Sequence, residues 1–484
     1  MHNRELTMCH RLATERLACN VSLNHPSLFV FTPELEDRIR IDLACLKKKF
    51  KNRAISDILT YTKQRSGFSC FFIYMEVAFL SQYRPFTPQD AIELAKTLPG
   101  PFATDANLEC REIGDGNLNL VFHITDQNSD KSIIIKQALP YAKVVGESWP
   151  LSLVRARIER EILQEEYRLC PGMVPEVYHY DDDLALTVME DLSDHVIMRK
   201  GLIDGGTYPL FAQHIGEFMA RTLFFTSDLG MNQQLKKEKQ GRFVNPDQCK
   251  ITEDLIFDEP YRIAEKNNYE ASIEDEAEAL RTDEELHLEV ALLREKFLTH
   301  GQALLHGDLH TGSIFVTPES TKVIDPEFAY FGPMGFDVGA VLANLLLHYA
   351  SLPGRFQDQT ALHERETILL DMVRDVWTEF ESRFRGLWTS NLVDPMAKTR
   401  GYEDLYVQQL FRDSAGFAGA KMVRRIVGLA HVADIDTIED ATQRERAQRK
   451  ALAIGKALIK RNRNLNTIGE LLDTVATAVT SAKA

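Results

Sequence analysis

No run of this 484-residue chain is apolar for long enough to read as a membrane-spanning helix. The nearly uncharged stretch Phe68 to Leu80 holds 13 residues with Glu76 among them, whereas a spanning helix needs about 20. It also lies too far along the chain to be the core of an ordinary signal peptide. Cysteine is sparse and unpatterned: seven residues, an odd number, with no CxxC pair. That argues against a disulfide framework or a structural zinc site and for a reducing, cytoplasmic compartment. Positive charge is in deficit, with 56 Lys and Arg against 71 Asp and Glu and a net charge of -15. Sequence-independent nucleic-acid binding runs on basic contacts to phosphate and is therefore not expected, although a local basic pocket for a phosphate-bearing ligand is compatible with an acidic whole. No internal repeat is visible. A composition of 44% hydrophobic and 26% charged residues fits a globular protein with two or three domain-sized units.

The first 80 residues differ from the rest. They hold Cys9, Cys19, Cys45 and Cys70 and are net +4, leaving -19 for the remainder. Lys47, Lys48, Lys49, Lys51 and Arg53 form a basic cluster, read as a solvated helix face or an extension of unknown role. Glu5 and Glu15 weaken a transit-peptide reading. From about Ser81 a compact pattern begins. Thr87-Pro88-Gln89-Asp90 predicts a helix start with Thr87 as cap. Strands are expected over Cys110–Ile113, Leu118–Ile124, Ser132–Gln137, Tyr178–Tyr180 and Leu184–Met189, with a helix over Arg155–Arg168. After Leu192 the chain turns helical, with helices expected over Leu210–Phe225, Ile256–Lys266 and Thr282–His300. A strand–loop–strand insert follows at Ala303–Asp325, then helices again to about Lys460. The acidic residues between Glu270 and Glu289 read as a solvated helix face.

Phosphoryl transfer requires backbone amides over the phosphates, a cation on their oxygens, carboxylates for magnesium and a carboxylate at the attacking hydroxyl. The sequence offers each in turn. Gly114-Asp115-Gly116-Asn117-Leu118-Asn119 lies between two strands, where glycines admit close approach to phosphate; a plain hairpin turn would look the same. Lys136 ends the apolar strand Ile133-Ile134-Ile135, with Glu159 on the next helix placed to hold it. His306-Gly307-Asp308-Leu309-His310 follows the apolar Ala303-Leu304-Leu305, a strand leading into a loop with one fixed carboxylate. Asp308 there can orient a hydroxyl and accept its proton, while His306 reads as a structural hydrogen-bonding residue. Asp325 and Glu327, in Val323-Ile324-Asp325-Pro326-Glu327-Phe328, form a carboxylate pair suited to a hard divalent cation.

The pentapeptide at 306–310 resembles the motif shared by aminoglycoside phosphotransferases, choline kinases and their relatives. Narrower matches lie at Glu112–Asn119, Lys136–Pro140, Thr311–Ser313, Asp325–Ala329, Gly332–Asp337 and Arg424–Asp434. Together they resemble the 5-methylthioribose kinase family, from about Tyr83 to about Ile468. The resemblance implies an α+β, bilobal protein-kinase-like fold, with a small sheet-rich lobe over 81–191 and a larger, mainly helical lobe over 192–484. It implies ATP as co-substrate, Mg2+ as cofactor, and phosphorylation of 5-methylthioribose to its 1-phosphate in methionine salvage. Carried over, Asp308 is the catalytic aspartate and Asp325 and Glu327 hold magnesium. Gly114, Gly116, Asn117, Asn119, Lys136 and Glu159 serve the ATP phosphates, Met189, Glu190, Asp191 and Leu192 form the adenine hinge, and Arg424 and Arg425 join Asp308 at the sugar. A homodimer is also implied. Ser313 stands where protein kinases carry a metal-binding Asn, and Glu327 would supply the missing ligand. The rival readings are a kinase for choline, homoserine or an aminoglycoside, and a catalytically inactive kinase-like binding module.

Overall fold

The computed structural model describes residues 83–113, 118–142 and 146–481. The 1–80 extension and the predicted phosphate-loop residues Gly114, Gly116 and Asn117 lie outside the described residues.

The first helix among the described residues is α1 (Pro88–Thr97), started as its sequence predicts. Thr87 and Asp90 form a reciprocal capping box, with proline in the first turn where its missing N–H is harmless. Strands β1 (Leu108–Glu112), β2 (Asn119–Asp126) and β3 (Ser132–Ala138) follow. Next come a small hairpin of β4 (Tyr141–Ala142) and β5 (Gly146–Pro150), helix α2 (Val154–Leu169), and strands β6 (Val177–Asp181) and β7 (Leu186–Glu190). The main sheet has the order β1-β2-β3-β7-β6 and its paired strands are antiparallel. Register puts Phe122, Ile135 and Val188 side by side across three strands. With Ile124 and Ile133 they form a core closed by Phe86, Ala91 and Ala95. Alternation along β3 then sends Ile134 and Lys136 to the opposite face.

The larger part is helical, with α3 (Phe211–Phe225), α4 (Pro246–Phe257), α5 (Glu284–Thr299), α6 (Gly335–Ser351), α7 (Gln359–Asn391), α8 (Tyr402–Val427) and α9 (Ala441–Arg461). Short strands β8 (Val196–Ile197), β9 (Ala303–Leu305), β10 (Ile314–Val316), β11 (Thr321–Val323) and β12 (Tyr330–Gly332) form two small antiparallel ribbons. This is the bilobal protein-kinase-like fold. The helix expected over Ile256–Lys266 is not formed. Helix α4 ends at Phe257 and a single 3-10 turn follows at Glu259–Tyr261, because Pro260 has no N–H to continue the α-helical ladder. The acidic 274–285 segment is more than a solvated face: Asp275 and Glu276 pair with Arg449 and Lys456, and Asp283 with Lys460.

Helix α6 is buried at every residue. Contrary to the expectation that no run is long enough, the stretch Gly335–Gly354 could cross a membrane by length and composition, but it is buried inside the fold, where α6 is the central core helix. Glycines set how closely its neighbours approach. A Cβ on Gly339 would fall 2.6 Å from the Ser414 carbonyl oxygen of α8, and one on Gly419 would fall 2.5 Å from the Gly455 carbonyl of α9. Helix α8 is thereby fixed against the core along its length, and its C-terminal turn carries Arg424 and Arg425.

Candidate active site

A cavity of about 570 Å³ gathers Asn119, Lys136, the 189–192 segment, Asp308, Asp325, Glu327, Arg424 and Arg425 on its walls. On the sheet side, the Lys136 ammonium donates to Glu159 at 2.6 Å and also to Asp325. Burial pulls the lysine's pKa down; Asp325, Glu159 and Glu327 outweigh it and keep the ammonium firmly protonated. Burial, with Asp325 and Glu327 adding to it, pushes the Glu159 carboxyl up to about 7 against the pull of Lys136.

Asp325 and Glu327 suit a divalent cation. Asp325 adopts φ +62°, a backbone region uncommon for non-glycine residues and concentrated at functional sites. Glu327 accepts from Asn119 Nδ2 at 3.3 Å and stands 3.7 Å from Arg155 Nε. Its backbone carbonyl is held by Asn245 at 2.9 Å. Among the described residues no group of three or more His, Cys, Asp or Glu converges as a closed metal cage. Two carboxylates with remaining positions for phosphate oxygens and water are what magnesium takes.

At the 189–192 segment, Met189 and Leu192 are buried. The Glu190 carboxylate accepts from Lys322 at 2.9 Å, and Asp191 accepts from Ser132 at 2.6 Å and contacts His123 at 3.0 Å. These acidic side chains are committed to tying strands together, which leaves backbone groups to meet a ligand.

Strand β9 delivers the 306–310 loop. The Asp337 carboxylate at the start of α6 accepts from the backbone N–H of His306 (2.7 Å) and of Gly307 (3.0 Å). The Asp308 N–H donates to His306 Nδ1 at 3.2 Å, so Nε2 carries the proton donated to the Ile324 carbonyl at 2.8 Å. Burial keeps this imidazole neutral, pulling its pKa down against Asp337. Gly307 sits at φ +85°, and a Cβ there would lie 2.3 Å from the Phe328 carbonyl oxygen, so only glycine fits. Ser313 turns its hydroxyl to His310 Nδ1 at 3.1 Å.

Burial would raise the Asp308 carboxyl, but His310, Lys421, Arg425 and Arg424 overcome it and hold the group well below the usual carboxylate range. Asp308 is thus an anion facing cations. His310, 3.4 Å away, is itself driven well below its usual pKa by burial, with Arg199 and Arg425 opposing its charge, so near neutral pH the cations are those of α8. Burial lowers both arginines, and Arg424 adds its repulsion at Arg425; guanidinium nevertheless stays charged. Arg425 donates to the His431 carbonyl at 3.2 Å, bracing the chain that follows the helix. Arg199 pairs with buried Asp434 at 3.2 Å, which also accepts from His348 at 2.8 Å.

Four residues were not singled out from sequence for a role here: Lys421, Arg155, Asp337 and Arg199. Lys421 was detectable, since positions 421, 424 and 425 share one helix face. Arg155 reaches the Leu118 and Leu139 carbonyls at 2.8 and 3.1 Å, contacts no local pattern reveals.

The fold and this arrangement define a kinase-like phosphotransferase, and the phosphotransferase enzyme family matches residues 109–365. A methylthioribose kinase from Geobacillus sp. is 52% identical over 408 residues, covering 84% of this chain and 100% of that protein. One from Citrobacter koseri is 48% identical over 380 residues, covering 78% and 95%. Among solved structures, choline kinase from Cryptosporidium parvum is 11% identical, with a TM-score of 0.41, covering 82% of this chain and 94% of its own. The chain belongs to the methylthioribose kinase family.

Proposed function

We propose that the protein transfers the γ-phosphoryl group of ATP to the anomeric hydroxyl of 5-methylthioribose, giving ADP and 5-methylthioribose 1-phosphate, as a cytoplasmic step of methionine salvage. The observation that carries the reading is the anionic Asp308 carboxylate, set between a Lys136–Asp325–Glu327 cluster and the cations of α8 across one cavity. The relatives' name supplies the acceptor.

In this reading the lobes divide after Asp191 and the nucleotide lies between them. Backbone groups of Met189, Glu190, Asp191 and Leu192 meet adenine, while Gly114, Gly116, Asn117 and Asn119 approach the phosphates. Lys136, held by Glu159, takes phosphate oxygens. Asp325 and Glu327 hold Mg2+, which when bound offsets charge on the phosphates. Asp308 orients the sugar hydroxyl and receives its proton. Arg424 and Arg425 position ring hydroxyls and offset charge arriving on the acceptor side. The active form is a homodimer.

The rival acceptors fare worse at this site. Choline brings a fixed positive charge, and the acceptor end already presents cations; choline sites favour aromatic and acidic walls. An inactive binding module would have lost the lysine, the catalytic carboxylate or the metal acids, and this chain has all of them. The test is ADP release by purified protein with Mg-ATP and 5-methylthioribose, choline, homoserine, an aminoglycoside or no acceptor. Stimulation by 5-methylthioribose alone is expected. Turnover on another acceptor without it overturns the substrate while retaining the Asp308 chemistry.

A further inference from the structure

Lys421 has no assigned part in phosphoryl transfer, yet it occupies the centre of the acceptor end. It precedes Arg424 by one helical turn on α8, shares a face with both arginines, and lines the same cavity as Asp308. The residue is 6% exposed. Its ammonium stands 3.8 Å from the centroid of the Phe336 ring. Among the described residues it makes no hydrogen bond or ion pair. An aromatic face attracts a cation but offers no lone pairs to three N–H donors, and a buried donor without acceptors is costly. With no protein acceptor, the Lys421 ammonium is open to the cavity, where water or a ligand's oxygens meet it.

The charges say which kind of ligand. Lys421, Arg424 and Arg425 bring three positive charges to this end. Of the two carboxylates whose charge acts on Lys421, Asp337 is engaged by two backbone N–H groups, which leaves Asp308. A neutral pentose can accept hydrogen bonds from these cations but does not offset their charge; a phosphate monoester, nearly dianionic at neutral pH, does both. Burial, with Arg424 and Arg425, brings the lysine down to about 8 against the pull of Asp308 and Asp337, so it is still cationic at pH 7.

We propose that Lys421 is a third cation of the acceptor site and that it binds the phosphate of the phosphorylated sugar. The inference rests on the acceptor reading above. In the transfer, the bond from the anomeric oxygen to phosphorus forms as the bond from phosphorus to the β,γ-bridging oxygen breaks. ADP leaves with that oxygen, and the hydroxyl proton passes to Asp308. The phosphoryl charge moves from the Lys136 side of the cavity to the Lys421 side, so Lys421 favours the product end of the reaction.

The test is calorimetric titration of wild type, Lys421→Met and Lys421→Arg with 5-methylthioribose 1-phosphate, 5-methylthioribose, ADP and inorganic phosphate. Lys421→Met is expected to weaken the sugar phosphate about tenfold or more, the scale of one lost charged hydrogen bond. The neutral sugar and ADP should stay within about twofold, and Lys421→Arg should recover most of the loss. Equal weakening of sugar and sugar phosphate would overturn the proposal and make Lys421 a wall of the pocket. Unchanged sugar-phosphate affinity with slower turnover would overturn it too, making Lys421 a positioning residue for Asp308. If wild type binds neither sugar ligand, the acceptor assignment fails separately. Inorganic phosphate then decides: weaker binding in Lys421→Met supports the anion site, and no difference overturns it.

Discussion

Replacing Asp337 by alanine removes a carboxylate that holds the 306–310 loop from behind. The residue is 2% exposed, and its two oxygens accept the N–H groups of His306 and Gly307 at 2.7 and 3.0 Å. Each buried N–H left without an acceptor costs about 1–3 kcal/mol, so the pair amounts to about 2–6 kcal/mol. That is a large part of a domain stability of about 5–15 kcal/mol, and it falls on the segment carrying Asp308. A loop displaced by about 1 Å is expected to cost about a hundredfold in turnover. Lys136, Glu159 and the 189–192 backbone lie on other elements, so ADP affinity should hold. Thermal melting, steady-state kinetics and ADP titration on the same preparation separate the effects. Asp337→Asn keeps one acceptor oxygen and should fall between wild type and alanine. Near-wild-type melting and turnover in Asp337→Ala would refute the reasoning, because the two N–H groups would then have found other partners at no cost.

Asp308→Ala should cut turnover by orders of magnitude and leave ATP binding largely intact; near-wild-type turnover would remove its assigned role. Arg155→Met breaks a buried cation's contacts with Glu327 and two carbonyls and should cost about 3–5 kcal/mol, read by urea denaturation, with a loss below about 1 kcal/mol showing that Glu327 does not depend on it. Sugar-phosphate affinity in wild type should fall as pH rises through about 8. The sign follows from Lys421: it is cationic below that value and neutral above it, while the phosphate, with its second pKa near about 6, keeps its charge. Asp308 and Asp337 oppose the loss of the proton, and Arg424 and Arg425 favour it. Lys421→Arg should show no such fall up to pH 9 or so, since guanidinium does not titrate there; a parallel fall would trace it to another group.

Much of the site is legible in the sequence because its chemistry sits in short segments at the ends of strands. Strand β9 running into His306-Gly307-Asp308, and Asp325 with Glu327 two residues on, need no tertiary knowledge to be noticed. Lys136 and Glu159 are separated by 23 residues, but both follow recognisable elements, and the structure joins them at 2.6 Å. What the sequence hides is partnership across distance. Asp337 looks like an ordinary acid in the first turn of a helix, a place that favours negative charge, and only the fold points it at the catalytic loop. Lys421 is framed by Ala420 and Met422 and reads as an interruption of a core pattern. The helix expected over Ile256–Lys266 misplaces α4 for the opposite reason: apolar spacing continues across Pro260, and proline chemistry overrides it.

The close contacts at Gly339 and Gly419 carry a consequence for how this protein can diversify. The helix that presents Lys421, Arg424 and Arg425 is wedged so near its neighbours that even a methyl group at either glycine would collide with backbone. The acceptor end is therefore built on the core rather than on loops. A lineage or a designer seeking a new acceptor cannot slide or tilt that helix without unpicking the interior, and is left to exchange the side chains it displays, one at a time. Specificity and foldability are here inherited together.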